Sequence, residues 1–450
     1  MGCMRRGFFL IARRVPSWVV RAVLAVSLFA AATANPAPPA AVESTSDAAL
    51  LAALTRDFNK LAPQTIHPAQ GVLTRPYLTP AGFYQDMWDW DGFFIGAHWA
   101  NQDAANAKYL KDWVLSFASS ADADGYVAGC ISPRGPRALF GKFAMKPFLA
   151  QGALLAGEKL NDYEWLRAAW PAMRRIEAYR RRTQFDEHWK LWFWNYALQS
   201  GADNSASLTN DPRDRSAILA VDASVWTMRE DEAMAVLARR LGFEPDAARY
   251  RAEAAQTRGA ILASLWNANE GLFLNRRRDT GAWVQAVSWS SFVPLAEGMV
   301  PHAQAERMIR EHLLNPKEMR APYGFRSLSA SDPAYNNDAI IKPYSNWRGP
   351  IWINANYLDW IALRRYGFNS DAHWLAVTLA AALDRDIARW GSMHECYNAE
   401  TGDGLAPTPA ESPNGVFAGF VGWNLLAEDM LECEVTGTHC MMLSVTEGQS

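Results

Sequence analysis

Histidine is scarce in this 450-residue chain: there are 8, scattered from His67 to His439. No His-Glu-x-x-His pair and no Cys-x-x-Cys stands among them, which excludes the usual zinc hydrolase centre and the zinc ribbon. A Walker loop, a dinucleotide-binding glycine pattern, a Gly-x-Ser-x-Gly elbow and an EF-hand loop are missing too. The sequence therefore points to chemistry without a metal or a cofactor. Lys and Arg do not cluster beyond the first 34 residues and the formal charge is -3, so nucleic acid is excluded as a partner. Alternating strand patterns are few, and no Pro/Ser/Gly-rich stretch after residue 42 is long enough to divide the chain.

What is present is a globular composition, 50% apolar and 20% charged, with 20 Trp, 14 Tyr and 20 Phe, more aromatic surface than packing alone requires. Residues 1–34 read as a secretory signal. Arg5, Arg6, Arg13, Arg14 and Arg21 form a basic region, Ala22 to Ala31 a short apolar run, and Ala32, Thr33 and Ala34 a small-x-small cleavage site. Export to the periplasm or medium follows, with an acidic mature protein that does not bind anionic membranes. Residues 35–42, with Pro36, Pro38 and Pro39, form a short linker, and residues 43–450 one domain. Losing Cys3 with the signal leaves an even number of cysteines for an oxidising compartment. Cys433 and Cys440 are the preferred disulfide, with free buried thiols as the alternative.

Apolar residues recur at helical spacing in Leu166, Ala169, Trp170, Met173 and Ile176; in Ala233, Val236, Leu237 and Leu241; in Tyr250, Ala254, Thr257, Ile261 and Leu265; and in Ala305, Met308, Ile309 and Leu313. Asp162 and Asp246 are candidate N-caps, Gly242 and Gly367 candidate helix stops. The periodicity predicts an all-α fold with aromatic-rich loops between helices.

Four loops carry chemistry-bearing residues. In the first, Trp88 and Trp90 offer flat faces for the C–H side of a sugar, beside Tyr84, and Asp91 can accept from two hydroxyls. The second runs through the aromatics Trp192, Trp194 and Tyr196 to Asp203, Asn204 and Ser205. A carboxyl among tryptophans loses hydration and keeps its proton to higher pH, which suits a general acid. The third holds Trp347, Arg348, Gly349, Pro350 and Trp352; Arg348 can bridge hydroxyls or pair with a carboxylate. The fourth sets Glu395 beside His394, Tyr397 and Asn398, groups able to orient a carboxylate that takes a proton from water, with Trp423 downstream. Cys396 lacks a base arranged around it and reads as a packed thiol or a partner for Cys130, not a nucleophile.

In this order the four segments resemble the inverting glycoside hydrolases of family 63, above all the mannosylglycerate/glucosylglycerate hydrolase-like group, and more distantly trehalases and glycogen-debranching enzymes. The likeness runs from about Pro76 to Glu428. It implies an (α/α)6 barrel, with the pocket among the loops at one end, and hydrolysis of an α-glycosidic bond with inversion. Asp203 then protonates the leaving oxygen and Glu395 activates water, with Tyr84, Trp88, Trp90, Asp91, Asn204, Trp347, Arg348, Gly349, Trp352, Tyr397 and Trp423 around a small carbohydrate. Two departures stand out. Asn204, Ser205 and Ala206 follow Asp203 where a trehalase carries bulky aromatics, and Lys146-Pro147 occupies a place where relatives often have Gln-Pro. A trehalase-like hydrolase, a sugar isomerase or epimerase, and a sugar-binding protein without catalysis are the alternatives on the same fold. Sugar identity, linkage and oligomeric state are not written in the motifs.

Overall fold

The computed structural model describes residues 46–138, 142–210, 217–342, 344–411 and 414–441. The signal and the linker assigned to residues 1–42 lie outside them. Among the described residues eleven helices of seven residues or more follow one another: α1 Asp47–Leu61, α2 Asp89–Gln102, α3 Ala107–Ser119, α4 Leu149–Leu160, α5 Leu166–Gln184, α6 Val221–Arg240, α7 Glu244–Ser264, α8 His302–Met308, α9 Ile353–Arg365, α10 Asn369–Trp390 and α11 Leu426–Thr436. Strands among the described residues are short hairpin pieces of two to four residues on the connections.

The helices sort into two kinds. In α2, α6 and α9 nearly every residue is buried, polar ones included, so the apolar surface wraps the whole helix. By contrast α1, α3, α5 and α10 bury one stripe, such as Leu166, Ala169, Trp170, Met173 and Ile176 in α5. Helices buried all round must be enclosed by the others. Indeed α2 packs on α4, α4 on α6, α6 on the short helix Val293–Ala296, that helix on α9, α9 on α11, and α11 back on α2. This closed inner ring, with α3, α5, α7, α8, α10 and α1 outside it, is an (α/α)6 barrel.

The periodic segments read from the sequence fall in helices, with Leu241 and Leu265 at the C-caps of α6 and α7 and the last segment widening into a π turn over Ile309–Leu313. Gly242 and Gly367 stand just past α6 and α9 with φ of +78° and +82°, the left-handed conformation that ends a helix. The two expected N-caps differ. Asp162 lies in the turn before α5, where its side chain accepts from Glu164 N, and Asp246 lies inside the first turn of α7, taken up by Trp170 Nε1 and Arg174. The N-terminus of α4 is capped from another helix: Glu230 of α6 accepts from Ala150 N at 2.7 Å and Gln151 N at 3.2 Å. Cys433 and Cys440 are joined by a disulfide, whereas Cys130 and Cys396 are free and buried, so the possible Cys130–Cys396 pair does not form. Among the described residues no helix is long and apolar enough to cross a membrane.

One close approach joins the fold to the site. Trp113 of α3 is fully buried between Gly92 of α2 and Gly152 of α4, and a Cβ at Gly92 would stand 2.4 Å from its ring. Its Nε1 donates to the Trp88 carbonyl at 3.1 Å, tying the first aromatic loop to the barrel. Gly92→Ala is expected to cost about 2–3 kcal/mol in urea unfolding. Gly259→Ala, at an exposed position of α7 with open space where the methyl would go, is expected to gain about 0.5–1 kcal/mol.

Candidate active site

The four loops converge on the N-terminal ends of the inner helices. Trp88 ends the short strand Met87–Trp88, which pairs with Cys130–Ser132, and α2 begins at the next residue. Asp89, 1% exposed, is consumed by structure: its Oδ1 accepts from Trp90 N at 2.7 Å and Lys146 Nζ at 2.9 Å, its Oδ2 from Lys146 N at 2.8 Å. That brings the segment entering α4 against the start of α2. Asp203 follows a single helical turn, Ala197–Ser200, that stops at Gly201 with φ +89°. Its Oδ2 accepts from Ser345 N at 3.1 Å and Ser345 Oγ at 2.9 Å. Glu395 is fixed by its backbone N–H on the Ala406 carbonyl at 2.6 Å, and its Oε2 accepts from the Tyr84 hydroxyl at 2.9 Å.

Together these loops enclose a cavity of about 270 Å³. Of the residues expected there, Tyr84, Trp88, Trp90, Asp91, Asp203, Trp347, Trp352, Glu395 and Trp423 line it. Their rings interlock: Trp347 stacks on Trp352 with centroids 4.2 Å apart, Trp90 meets Trp347 at 5.7 Å and Trp423 at 5.6 Å, and Tyr84 meets Trp88 edge-on at 6.1 Å. Each catalytic candidate has one oxygen engaged and the other, Asp203 Oδ1 or Glu395 Oε1, without a hydrogen-bond partner among the described residues. Neither is in an ion pair there.

Four other expected contacts do not line the cavity and stand behind its wall. Asn204 accepts from Trp347 N at 2.7 Å, and Arg348 Nε donates to the Asn204 carbonyl at 2.8 Å, so both residues clip the Asp203 loop to the Trp347 loop. Gly349 has φ +157° and passes so close to Asn336 that a Cβ would lie 2.1 Å from its carbonyl oxygen. Tyr397 is fully buried and donates to Asp386 at 2.8 Å. His394 likewise pairs with Asp386, at 2.9 Å, and Asn398 holds the turn at Glu400 and Thr401, so none of the neighbours expected to orient Glu395 reaches its carboxyl. Tyr84, 311 positions away, does so instead. The aromatic run before Asp203 is displaced as well: Trp194 donates to Asp222, and the tryptophans around the acid come from other loops. Sequence reasoning passed over Ser345, whose adjacency to Trp347 was the only signal, and Lys342, Ile341 and Phe83, which belong to the cavity wall or rim.

Burial disfavours the charged form of every carboxyl here. It raises Asp203 to about 6 against the opposing pull of two Ser345 hydrogen bonds and Lys146. Asp91, without a side-chain partner, rises to about 8 against the pull of Lys146. Glu395 is also driven well above its ordinary value, chiefly by burial and then by Asp91 and Asp203, while the Tyr84 hydroxyl favours its ionised form. Carboxyls facing one cavity cannot all ionise near neutrality, so the site retains protons. A retained proton is what an acid catalyst must hold. Cys396 is sealed from the cavity and its thiol is held well above its ordinary value by burial, so it is no nucleophile. Among the described residues no three His, Cys, Asp or Glu side chains are grouped to hold a metal.

Residues 84–414 match the mannosylglycerate hydrolase MGH1-like glycoside hydrolase domain. The chain belongs to that glycoside hydrolase family. A mannosylglycerate hydrolase from Rubrobacter radiotolerans is 29% identical over 39% of this chain and 37% of its own length. A mannosyl-oligosaccharide glucosidase from Saccharomyces cerevisiae is 27% identical over 60% of this chain and 32% of its own. The chain thus spans about a third of the length of the curated relatives it matches. In fold it is similar to the crystal structure of a GH63 mannosylglycerate hydrolase from Thermus thermophilus in complex with Tris, with a TM-score of 0.64 at 18% identity, covering 84% of this chain and 99% of that one. It is similar also to the neutral trehalase Nth1 of Saccharomyces cerevisiae, with a TM-score of 0.60 at 15% identity over 82% and 75% of the two chains.

A carboxyl whose folded value is raised weakens the fold once the pH exceeds its unfolded value. Asp203 rises from 3.8 to about 6, so its cost is small at pH 4 and grows to its full size above pH 6. Asp203→Asn is therefore expected to melt higher than the parent at pH 7.5, by on the order of 1 kcal/mol, with the difference fading toward pH 4. Thermal melts at both pH values check this.

Proposed function

We propose that this protein is an exported α-glycosidase that hydrolyses a small α-linked glucoside or mannoside with inversion. The observation that carries the reading is the pair of carboxyls, Asp203 and Glu395, each anchored through one oxygen with the other unengaged, on the wall of one tryptophan-lined cavity. The sugar's C–H face rests on tryptophan, and Asp91 takes hydroxyls. Asp203 gives its proton to the glycosidic oxygen as the C–O bond breaks and positive charge spreads over the anomeric carbon and ring oxygen. Water attacks that carbon from the far side, and Glu395 accepts the proton it sheds. The cycle closes when Asp203 regains a proton and Glu395 loses one. An inverting pair leaves ~6.5–9.5 Å between its carboxyls for that water.

Among the described residues four carboxyls line the cavity, Asp89, Asp91, Asp203 and Glu395, against the cations Lys146, Arg137 and Lys342, of which Lys146 is buried against Asp89 and Arg137 is paired with Asp86; that balance favours a neutral sugar there over an acidic one. The basic, apolar and small-residue succession of residues 1–34 supports export. A bare binding protein is the weaker reading, because it would have no use for two raised carboxyls on one cavity wall.

Asp203→Asn and Glu395→Gln are each expected to fold and to lose turnover by about 10²- to 10⁴-fold. The assay is a panel of α-linked disaccharides and glycosylglycerates. With NMR reading the first anomer released, a β product is expected; an initial α product would rule out inversion, and near-parental rates in both variants would rule out the acid–base assignment.

A further inference from the structure

Lys146 is the buried cation of the cavity wall. It lies three residues before α4, its side chain 11% exposed, and its Nζ makes one hydrogen bond to a side chain, that to Asp89. The ammonium stands 5.3 Å from the centroid of the Trp90 ring. Its Cε lies against Gly201, where an added Cβ would be 2.7 Å away, and Gly201 is two residues before Asp203. The lysine thus puts its ammonium at the start of α2, which carries Asp91, while the end of its stem lies against the turn that carries Asp203.

The other charged or titratable groups of the wall are engaged elsewhere. Arg137 pairs with Asp86, beside the Cys130 thiol. Lys342 is exposed, 4.8 Å from the centroid of the Phe83 ring. Glu395 takes its hydrogen bond from Tyr84. Three carboxyls, Asp89, Asp91 and Asp203, then share Lys146 as their buried cation.

We propose that Lys146 is a positioning residue for the reaction: by lodging one positive charge between Asp89, Asp91 and the Gly201–Asp203 turn, it decides how readily the acid loses its proton, and so where the pH optimum lies. This rests on the reading of Asp203 and Glu395 as the acid–base pair. The cation favours the ionised forms of Asp91 and Asp203, while Glu395 answers to Tyr84 and its acidic neighbours. Taking the charge away makes Asp203 hold its proton to higher pH. The optimum, midway between the two apparent values of the coupled pair, moves up whichever member titrates first. A lysine serving only to neutralise Asp89, or only to touch sugar, would leave it in place.

The test uses Lys146→Met, Lys146→Arg and the double variant Lys146→Gln with Asp89→Asn, which removes the ion pair without leaving a buried carboxylate unpaired. Melting curves establish which are folded. In kcat/KM against pH, the folded Met or double variant is expected to peak at higher pH by on the order of half a unit, and Lys146→Arg at the parental pH. Carbon-13 titration of the Asp203 carboxyl, assigned by its absence in Asp203→Asn, reads the same effect without substrate, as a midpoint higher by on the order of one unit. An unmoved optimum with only KM raised, or an unmoved Asp203 midpoint, overturns the proposal. The acid–base reading fails separately, by undiminished hydrolysis in Asp203→Asn.

Discussion

Keeping several carboxyls out of water around one small hollow is the demand on which the rest of this structure depends. An ionised carboxylate in an apolar surrounding is unstable unless it is paired, hydrogen-bonded or protonated. Here the three remedies are divided. Asp89 is paired with Lys146, Asp203 and Glu395 are each hydrogen-bonded on one oxygen, and Asp91, with no side-chain hydrogen-bond partner among the described residues, is pushed up to about 8. Carboxyls of the same residue class thus come to differ through their surroundings.

The barrel supplies those surroundings. Because the inner helices are buried on every side, their ends are held by neighbours, and residues near the entries to α2, α4, α9 and α11 reach the cavity. Helix N-termini carry partial positive charge, which eases the crowding of acids above them. The supports extend outward: Trp113 seats the Trp88 segment through Gly92 and Gly152, and Glu230 steadies the first turn of α4, just beyond Lys146.

Much of this was legible in the chain, for a physical reason. Helical periodicity marks one-sided helices well, so α5 and α7 declare themselves; α2, buried all round, lacks a stripe, and its first turns read as part of an aromatic-rich loop. Both catalytic candidates could be named because acids beside aromatics or glycine turns stand out. Their partners could not. Local adjacency suggested His394, Tyr397 and Asn398 for Glu395, whereas a β-bridge between Ile351 and Tyr397 and the Asp386 side chain claim the neighbours, and Tyr84 arrives from the other end of the chain. Arg348 and Gly349 were noticed for the right reason, a tight and specific string, but their work is on backbone rather than on sugar.

The bonds between Asn204 and the Trp347–Arg348 segment have one more consequence. They make the Asp203 loop and the loop of Trp347 and Trp352 a single solid piece. On the proposed reading an arriving glycoside meets a surface already set, and the entropy of arranging it was spent when the chain folded. Discrimination then lies in how well a guest matches a fixed contour, so a mismatched ring is refused at the threshold instead of being accommodated by a yielding loop.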